Sequence, residues 1–398
     1  MRTELLAPAG DLERLKVAVM YGADAVYFGG KQFSLRARAS NFTLDDIKEA
    51  VSFAHEHGSK VYVTVNIIPH NSDFAGLEDY LMKLQEYGVD AIICASQAIG
   101  SICKKVAPAL EVHISTQQTT INSSAVNYWQ SRGADRIVLG REVTYDEMLE
   151  IMKKVTLPVE VFIHGGMCAN YSGRCTISNV LTNRDANRGG CAQSCRWNYH
   201  LWHEDELLDR KECMMSLGSK DMCTIDYIQK LLEAQVCSMK IEGRMKSEYY
   251  LATVINAYRR AIDAYEKIGE SYNKDSMFRD EVCKTAHRAF TTAYTLGNND
   301  NTVNYADSQS RGDRTFIAFV LQSGCDECGQ YALIEMRNRF KVGDTLEVLS
   351  PSDAFNKTIK VEKLFDEKGE AVDDAKLVQQ KLKLYTDVKL NHGDILRK

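Results

Sequence analysis

From residue 3 to residue 165 the chain repeats one unit, a short apolar run followed by an amphipathic run of helix length, often joined by Gly-Ala or Gly-Val. The apolar runs are TELLAP (3–8), DAVYFG (24–29), KVYVTVN (60–66), DAIICA (90–95), EVHIST (111–116), DRIVLG (135–140) and VEVFIHG (159–165). Their Val and Ile content, with little alternation, predicts strands of a parallel sheet covered on both faces. Between them lie runs such as TLDDIKEAVSFAHEHG, in which Ile47, Ala50, Val51, Phe53 and Ala54 share one face and Thr43 stands at the N-cap. An eighth strand, VCSMKIEG (236–243), follows the helix-like TIDYIQKLLEA (224–234) and leads into SEYYLATVINAYRRAIDAYEK (247–267). Eight such units predict an α/β fold, a closed (β/α)8 TIM-like barrel over residues 1–268. An open doubly wound sheet is the alternative, but PAGDLERL after the first strand offers only one glycine where a dinucleotide-binding turn needs GxGxxG.

Residues 166–223 form an excursion after the seventh strand, far longer than an ordinary βα loop and placed at the strand ends where barrel enzymes keep their sites. Within it, WNYHLWHEDELL is expected to pair with KECMMSLGS as a small lid. Residues 269–313 read as a linker or helical connection, with a polar, turn-rich stretch at 297–314. From 314 to 398 the period becomes strand-like, in TFIAFVLQ, GQYALIEM, DTLEVLS, KTIKVEKLF and KLKLYTDV, which predicts a small antiparallel β-barrel domain.

The start of the chain shows no basic leader and the chain no apolar run of membrane length, so a cytoplasmic, membrane-free location is expected. In that reducing setting twelve cysteines point to metal or redox chemistry more than to disulfides. Cys94 and Cys237 sit in apolar runs and read as core thiols, and the CxxC of Cys325 and Cys328 reads as a turn. Cys168, Cys175, Cys191 and Cys195 are spaced x6, x15 and x3, with Cys213 and Cys223 following. Four thiolates suit zinc or one [4Fe-4S] cluster, and spacing does not separate the two. Gly165, Gly166, Gly173, Gly189 and Gly190 would offer backbone N–H groups, and Arg174, Arg188 and Arg196 would offset thiolate charge. The formal net charge of −5 gives no global attraction for nucleic acid, which leaves only a local basic surface for that role.

The other strand ends add polar candidates. His113, Thr116, Gln117 and Gln118 lie at the fifth, Arg141 and Glu142 at the sixth, and His164 just before the glycines. Arg141 reads as a carboxylate clamp or as half of a surface Arg-Glu pair; His113 and His164 read as functional or as packing groups. The eighth strand brings Lys240, Glu242, Arg244 and Lys246, of which Glu242 is a candidate proton acceptor and Arg244 a bidentate anion ligand, with a buried bracing pair as the bland alternative. His287, Arg288 and Phe290 in HRAFTTAY would face the same cleft.

VFIHGGMCANYSGRCTISN, NRDANRGGCAQSCRW, SLGSKDMC and MKIEGRMKS together resemble peptidase family U32, the collagenase-like peptidases, and the likeness runs from ELLAPAGDLERL to GDILRK. Members of that family serve in collagen degradation, 23S rRNA cytidine hydroxylation, oxygen-independent ubiquinone hydroxylation and prephenate-dependent 5-hydroxylation of uridine 34 in tRNA. Size and ending are most similar to the tRNA branch. The resemblance implies a [4Fe-4S] cluster on Cys168, Cys175, Cys191 and Cys223, with Cys195 as the substitute ligand and zinc as the alternative metal. It also implies tRNA as partner, prephenate or a similar small carboxylate as hydroxyl source, and a homologous protein as a further partner. In that scheme Glu242, Arg244, His164 and Arg141 serve the chemistry, and Tyr171, Trp197, Arg184 and Arg188 are sources of RNA contact. Two other readings stand beside it. A peptidase lacks HExxH, GxSxG or any cysteine-histidine pattern here, and a non-catalytic RNA-binding protein would hold a structural zinc.

Overall fold

A computed structural model describes residues 2–35, 40–208, 214–269, 276–297 and 301–398. Seven strands, β1 (Glu4–Pro8), β2 (Ala25–Gly29), β3 (Lys60–Val65), β4 (Ala91–Cys94), β5 (Glu111–Ile114), β6 (Arg136–Val138) and β7 (Val159–Gly166), alternate with helices α1 (Leu12–Met20), α2 (Leu44–Glu56), α3 (Leu77–Glu86), α4 (Gln97–Val106), α5 (Ser123–Ser131) and α6 (Tyr145–Met152). All seven strands pair in parallel in chain order. The excursion then carries α7 (Ile177–Thr182) and the short strands β8 (Asn198–Tyr199), β9 (Trp202–His203), β10 (Glu206–Leu207), β11 (Met215–Ser216) and β12 (Asp221–Cys223). After α8 (Ile228–Glu233), β13 (Ser238–Ile241) pairs in parallel with both β7 and β1 and closes the eight-stranded barrel. The long α9 (Glu248–Ile268) follows, then α10 (Ser276–Cys283) and β14 (Phe290–Thr291).

Local chemistry starts the helices where the apolar periodicity places them. Thr43 caps α2 and Thr144 caps α6, each in a reciprocal box with Asp46 or Glu147, and Asp11, Asn122 and Ser247 cap α1, α5 and α9. The apolar helix faces and the outer strand faces form one continuous core, with Leu5, Val26, Val63 and Ile92 fully buried. Inside the barrel Leu6, Tyr27, Tyr62 and Ile93 pack together, and below them lies a charged plug. Glu160, fully buried, accepts from Lys240 Nζ at 2.7 Å and Arg136 Nη1 at 3.2 Å, and Arg136 also reaches Glu4 at 2.7 Å. Burial alone would push the Glu160 carboxyl up; Lys240 and Arg136 beside it reverse that and hold it below the usual range.

Two strands extend the barrel sheet: β12 runs antiparallel beside β7, setting Asp221 opposite Gly166 and Cys223 opposite His164, and β14 pairs with β12. The expected lid pairing exists as β8 with β11, and β9 with β10 makes a second hairpin; Lys211, Glu212 and Cys213 fall outside the described residues.

The C-terminal strands are β15 (Phe316–Asp326), β16 (Gly329–Met336), β17 (Phe340–Lys341), β18 (Thr345–Leu349), β19 (Thr358–Lys360), β20 (Leu364–Phe365), β21 (Asp374–Ala375), β22 (Lys381–Tyr385) and β23 (Ile395–Arg397). Seven of them form one antiparallel sheet in the order β19-β18-β23-β15-β16-β22-β20, and β17 pairs with β21. The closed barrel expected here is not found among the described residues: the end strands β19 and β20 do not pair, being three and two residues long and so offering few groups for closure. This domain docks on α10 through Arg397 and Glu281, fully and almost fully buried, with contacts of 2.6 and 2.9 Å.

Candidate functional site

The mouth of the barrel is organised around the end of β7. Gly165 takes a φ of +106°, and a Cβ there would fall 2.4 Å from the Glu242 carbonyl oxygen, so only glycine lets the chain following β13 pass this close. Gly166 N–H donates to Glu242 Oε2 at 3.2 Å, and Arg141 Nη1 donates to Gly166 O at 2.5 Å with its guanidinium 3.9 Å over the Phe162 ring. The face of Gly166 that lacks a side chain is ringed by charge: a Cβ would lie 3.2 Å from Glu242 Oε2, 3.4 Å from Arg288 Nη2 and 3.8 Å from Arg196 Nη2. Arg288 is itself held by Asp221 Oδ1, at 2.9 Å from Nε and 2.6 Å from Nη2. Burial works against ionising Asp221, but the Arg288 guanidinium and backbone N–H hold its carboxyl below the ordinary range.

The inserted segment spans this mouth. Ser172 N–H donates to Glu142 Oε1 at 2.7 Å, Thr119 Oγ1 donates to Ser172 O at 2.5 Å, and Arg188 pairs with Asp73 at 2.6 Å. Gly173, at φ +69°, lies so close to the loop after β5 that a Cβ would fall 1.9 Å from the Gln117 carbonyl oxygen. A cleft of about 520 Å³ opens between the insertion and the connection at 306–309, lined by Arg196, Trp197, Asn198 and Met214.

Between Cys168 and Met215 the buried side chains among the described residues are Ser178 and Ser194. No apolar side chain there is buried, so the segment has no core of its own, yet it gathers thiols. Burial pushes the Cys195 thiol up, and Cys168, Cys191 and Cys175, all within electrostatic reach, push the same way against the opposing Arg196. Cys168 is exposed, the other three are half-buried, and the Asn170 side-chain amide donates to Cys175 Sγ at 3.4 Å. Among the described residues no three His, Cys, Asp or Glu side chains stand close enough to grip a metal ion as placed. The donor chemistry nonetheless fits a thiophilic group: soft thiols, an amide donor to sulfur, and arginines on the same segment.

Cys223 stands elsewhere. It is 1% exposed in the main core on β12, with Sγ 3.9 Å from Tyr258 Oη, and burial raises its thiol while Arg279 opposes. Cys195, expected only as a substitute, is thus the cysteine grouped with Cys168, Cys175 and Cys191.

The other expected residues divide in two. Glu242 and Arg141 meet at Gly166, as described. Arg244 crosses to the ends of β2 and β3, where its guanidinium donates to Ser34 Oγ at 3.0 Å, Thr64 Oγ1 at 3.3 Å and Asn41 Oδ1 at 2.8 Å. His164 is 1% exposed, edge-on to Tyr258 and Phe290, and burial pushes its pKa down to about 3, so it is a neutral packing group near neutrality. His113 is fully buried inside the barrel, with Nε2 2.9 Å from Glu111 Oε2, and Lys240 belongs to the plug. Lys246 Nζ donates to Ala286 O at 3.2 Å. His287 stacks on Phe290 at 3.9 Å. Tyr171 and Trp197 are exposed, while Arg188 is engaged with Asp73. The sequence reading missed Asp221, and it assigned Arg196 to the thiols rather than to Gly166; the only signal was the arginine in HRAFTTAY, since its carboxylate partner lies 67 positions away.

Two family descriptions match the chain: Peptidase family U32 over residues 10–305 and Peptidase family U32 C-terminal domain over residues 313–397. Among curated proteins it is 43% identical to tRNA hydroxylation protein P1 of Bacillus subtilis (strain 168), covering 100% of this chain and 95% of that protein. It is 32% identical to tRNA hydroxylation protein P of Escherichia coli (strain K12), over 93% of this chain and 91% of the relative. A collagenase of Porphyromonas gingivalis (strain ATCC BAA-308 / W83) is 34% identical over 74% of this chain and 73% of its own length.

Proposed function

The chain belongs to peptidase family U32, and from that premise we propose that it is a tRNA-modifying enzyme that 5-hydroxylates uridine 34, with prephenate or a similar small carboxylate supplying the hydroxyl group. The observation that carries this reading is the end-to-end similarity to tRNA hydroxylation protein P1. The arrangement at the barrel mouth supports it, with thiols and a ring of arginines at the strand ends where this fold keeps its chemistry.

In this reading Cys168, Cys175, Cys191 and Cys195 would hold a [4Fe-4S] cluster, which when bound supplies a redox-active, Lewis-acidic iron site. The chain's own residues do the rest. Glu242, fixed by the Gly166 N–H, accepts or returns a proton at Oε1 or Oε2. Arg141 clamps the end of β7 through the Gly166 carbonyl and keeps that backbone in place. The inserted segment limits water at the mouth, and the exposed Trp197 and Tyr171 offer ring faces to an unstacked base. Among the described residues no helix is long and apolar enough to cross a membrane. The peptidase alternative has a relative's name behind it, but the cysteine and histidine that β12 and β7 set opposite each other, Cys223 and His164, are each 1% exposed and out of reach of a peptide.

The test is nucleoside analysis of tRNA from a strain lacking the hydroxylation, complemented with this chain. Wild type is expected to restore 5-hydroxyuridine-derived nucleosides, and Glu242→Gln to lower them clearly, the rate of their formation falling by about 10²–10⁴-fold, the range for loss of a proton-transfer group. No restoration by wild type at normal protein levels would contradict the reading.

A further inference from the structure

Cys325 and Cys328, which the proposed function does not use, sit at the tip of the β15–β16 hairpin. Asp326 lies opposite Gly329 and Cys325 opposite Gln330, so Glu327 and Cys328 make a two-residue turn. Gly329 closes that turn at a φ of +117°, which favours glycine. Asp326 braces the tip: its Oδ1 accepts from the Cys328 N–H at 2.9 Å, and its Oδ2 accepts from Tyr385 Oη at 2.8 Å and from Lys383 Nζ. Gly324 leaves room for the Tyr331 ring, which a Cβ there would meet at 2.6 Å. With Gly324 and Asp326 turned toward Tyr331, Tyr385 and Lys383, strand alternation turns Cys325 to the other face. Residues 325–328 are all exposed and both thiols are free. Among the described residues no third His, Cys, Asp or Glu side chain joins them to grip a metal ion.

We propose that Cys325 and Cys328 are one half of a zinc site, and that the same two thiols of a second copy of this chain complete it. Two cysteines separated by two residues are a usual way for a chain to offer zinc a pair of ligands, and a closed site takes four in a tetrahedron. One tip supplies only two, so the site is incomplete without the partner copy. The braced hairpin fixes the backbone of both cysteines before the ion arrives, which lowers the ordering cost of binding. Because nothing in the described chain covers the tip, an identical tip can meet it across a two-fold axis through the ion, each copy making the same contacts. Charge makes this meeting depend on the metal. Lys383 offsets Asp326, and Glu327 remains on the turn. Two facing Glu327 carboxylates repel each other and attract a cation. On binding, the four thiols release their protons to solvent, so affinity rises with pH.

The test uses full-length protein purified without oxygen, dialysed against EDTA and then titrated with zinc chloride, with bound zinc and iron measured after gel filtration and mass by light scattering. Wild type is expected to take up about half a zinc per chain, to double in mass as it does so, and to return to its starting mass on adding EDTA. Absorption spectroscopy at the zinc edge should show four sulfur neighbours at about 2.3 Å. Cys325→Ser and Cys328→Ser should each lose the zinc and the doubling while keeping the wild-type iron content, which separates this site from the thiols of the inserted segment. Both positions are exposed, so the substitutions should leave the fold intact, and either variant serves if the other folds poorly. Equal zinc uptake by wild type and both variants, one zinc per chain without a change in mass, or a Cys325–Cys328 disulfide in the oxygen-free protein would each overturn the site. The tRNA complementation does not depend on it, so the proposed function stands or falls separately.

Discussion

In the barrel every residue of β2 and β4 is buried, and the core runs unbroken from strand to helix; in the inserted segment Val180 is 80% exposed, Trp202 61% and Leu181 50%. Full burial of one aliphatic side chain contributes about 1.5–3 kcal/mol, whereas one ordinary hydrogen bond contributes about 0.5–1.5 kcal/mol net. The barrel is therefore held by apolar packing and can carry a charged plug inside it. The insertion is held by polar ties to the loops after β3, β5 and β6. The difference teaches where binding energy would be felt: a group bridging Cys168, Cys175, Cys191 and Cys195 would order the insertion and leave the barrel nearly unchanged.

The largest effect is expected from breaking the barrel. Lys240→Ala leaves Glu160 buried with half its compensation, and global stability in urea should fall by about 3–5 kcal/mol. A loss below about 1 kcal/mol would mean that water reaches the plug and that the body of the barrel is less tightly closed than described. A smaller effect comes from acid. His164 has a depressed folded pKa, so its contribution is complete above the unfolded value of about 6.5 and is lost as pH falls toward the folded value of about 3, by roughly 1 kcal/mol per pH unit. His164→Phe, placed among Tyr250, Tyr258 and Phe290, should flatten the fall in Tm between about pH 6.5 and 4.5. An unchanged slope would assign the acid sensitivity to other groups.

All eight barrel strands were legible because Val- and Ile-rich runs bounded by turns repeat with little ambiguity. β12 and β14 were not, since strands of three and two residues carry no period to read. The charged plug was invisible for a related reason: Glu4, Arg136 and Glu160 each sit at or near the start of an apolar run, where they look like exposed strand ends, and only barrel closure brings them together. At the site, Glu242 and Arg141 were readable as strand-end residues, but Arg244 turned to the opposite side of the mouth and His164 into the core. The motif-based ligand set took Cys223 by family likeness, whereas Cys195 has Cys168, Cys175 and Cys191 within electrostatic reach and Cys223 lies buried beside Tyr258. Closure of the C-terminal sheet was inferred from strand-like alternation and turn signals, which do not fix how the last strands pair.

The most direct test is metal analysis of wild type and Cys195→Ser purified without oxygen, combined with limited proteolysis of residues 168–208. The expected result is about four irons and four sulfides per wild-type chain, with loss of the cluster and rapid cleavage of the insertion in the variant, while barrel stability shifts by less than about 0.5 kcal/mol. One zinc and no iron in wild type, or an intact cluster and protected insertion in Cys195→Ser, would contradict it.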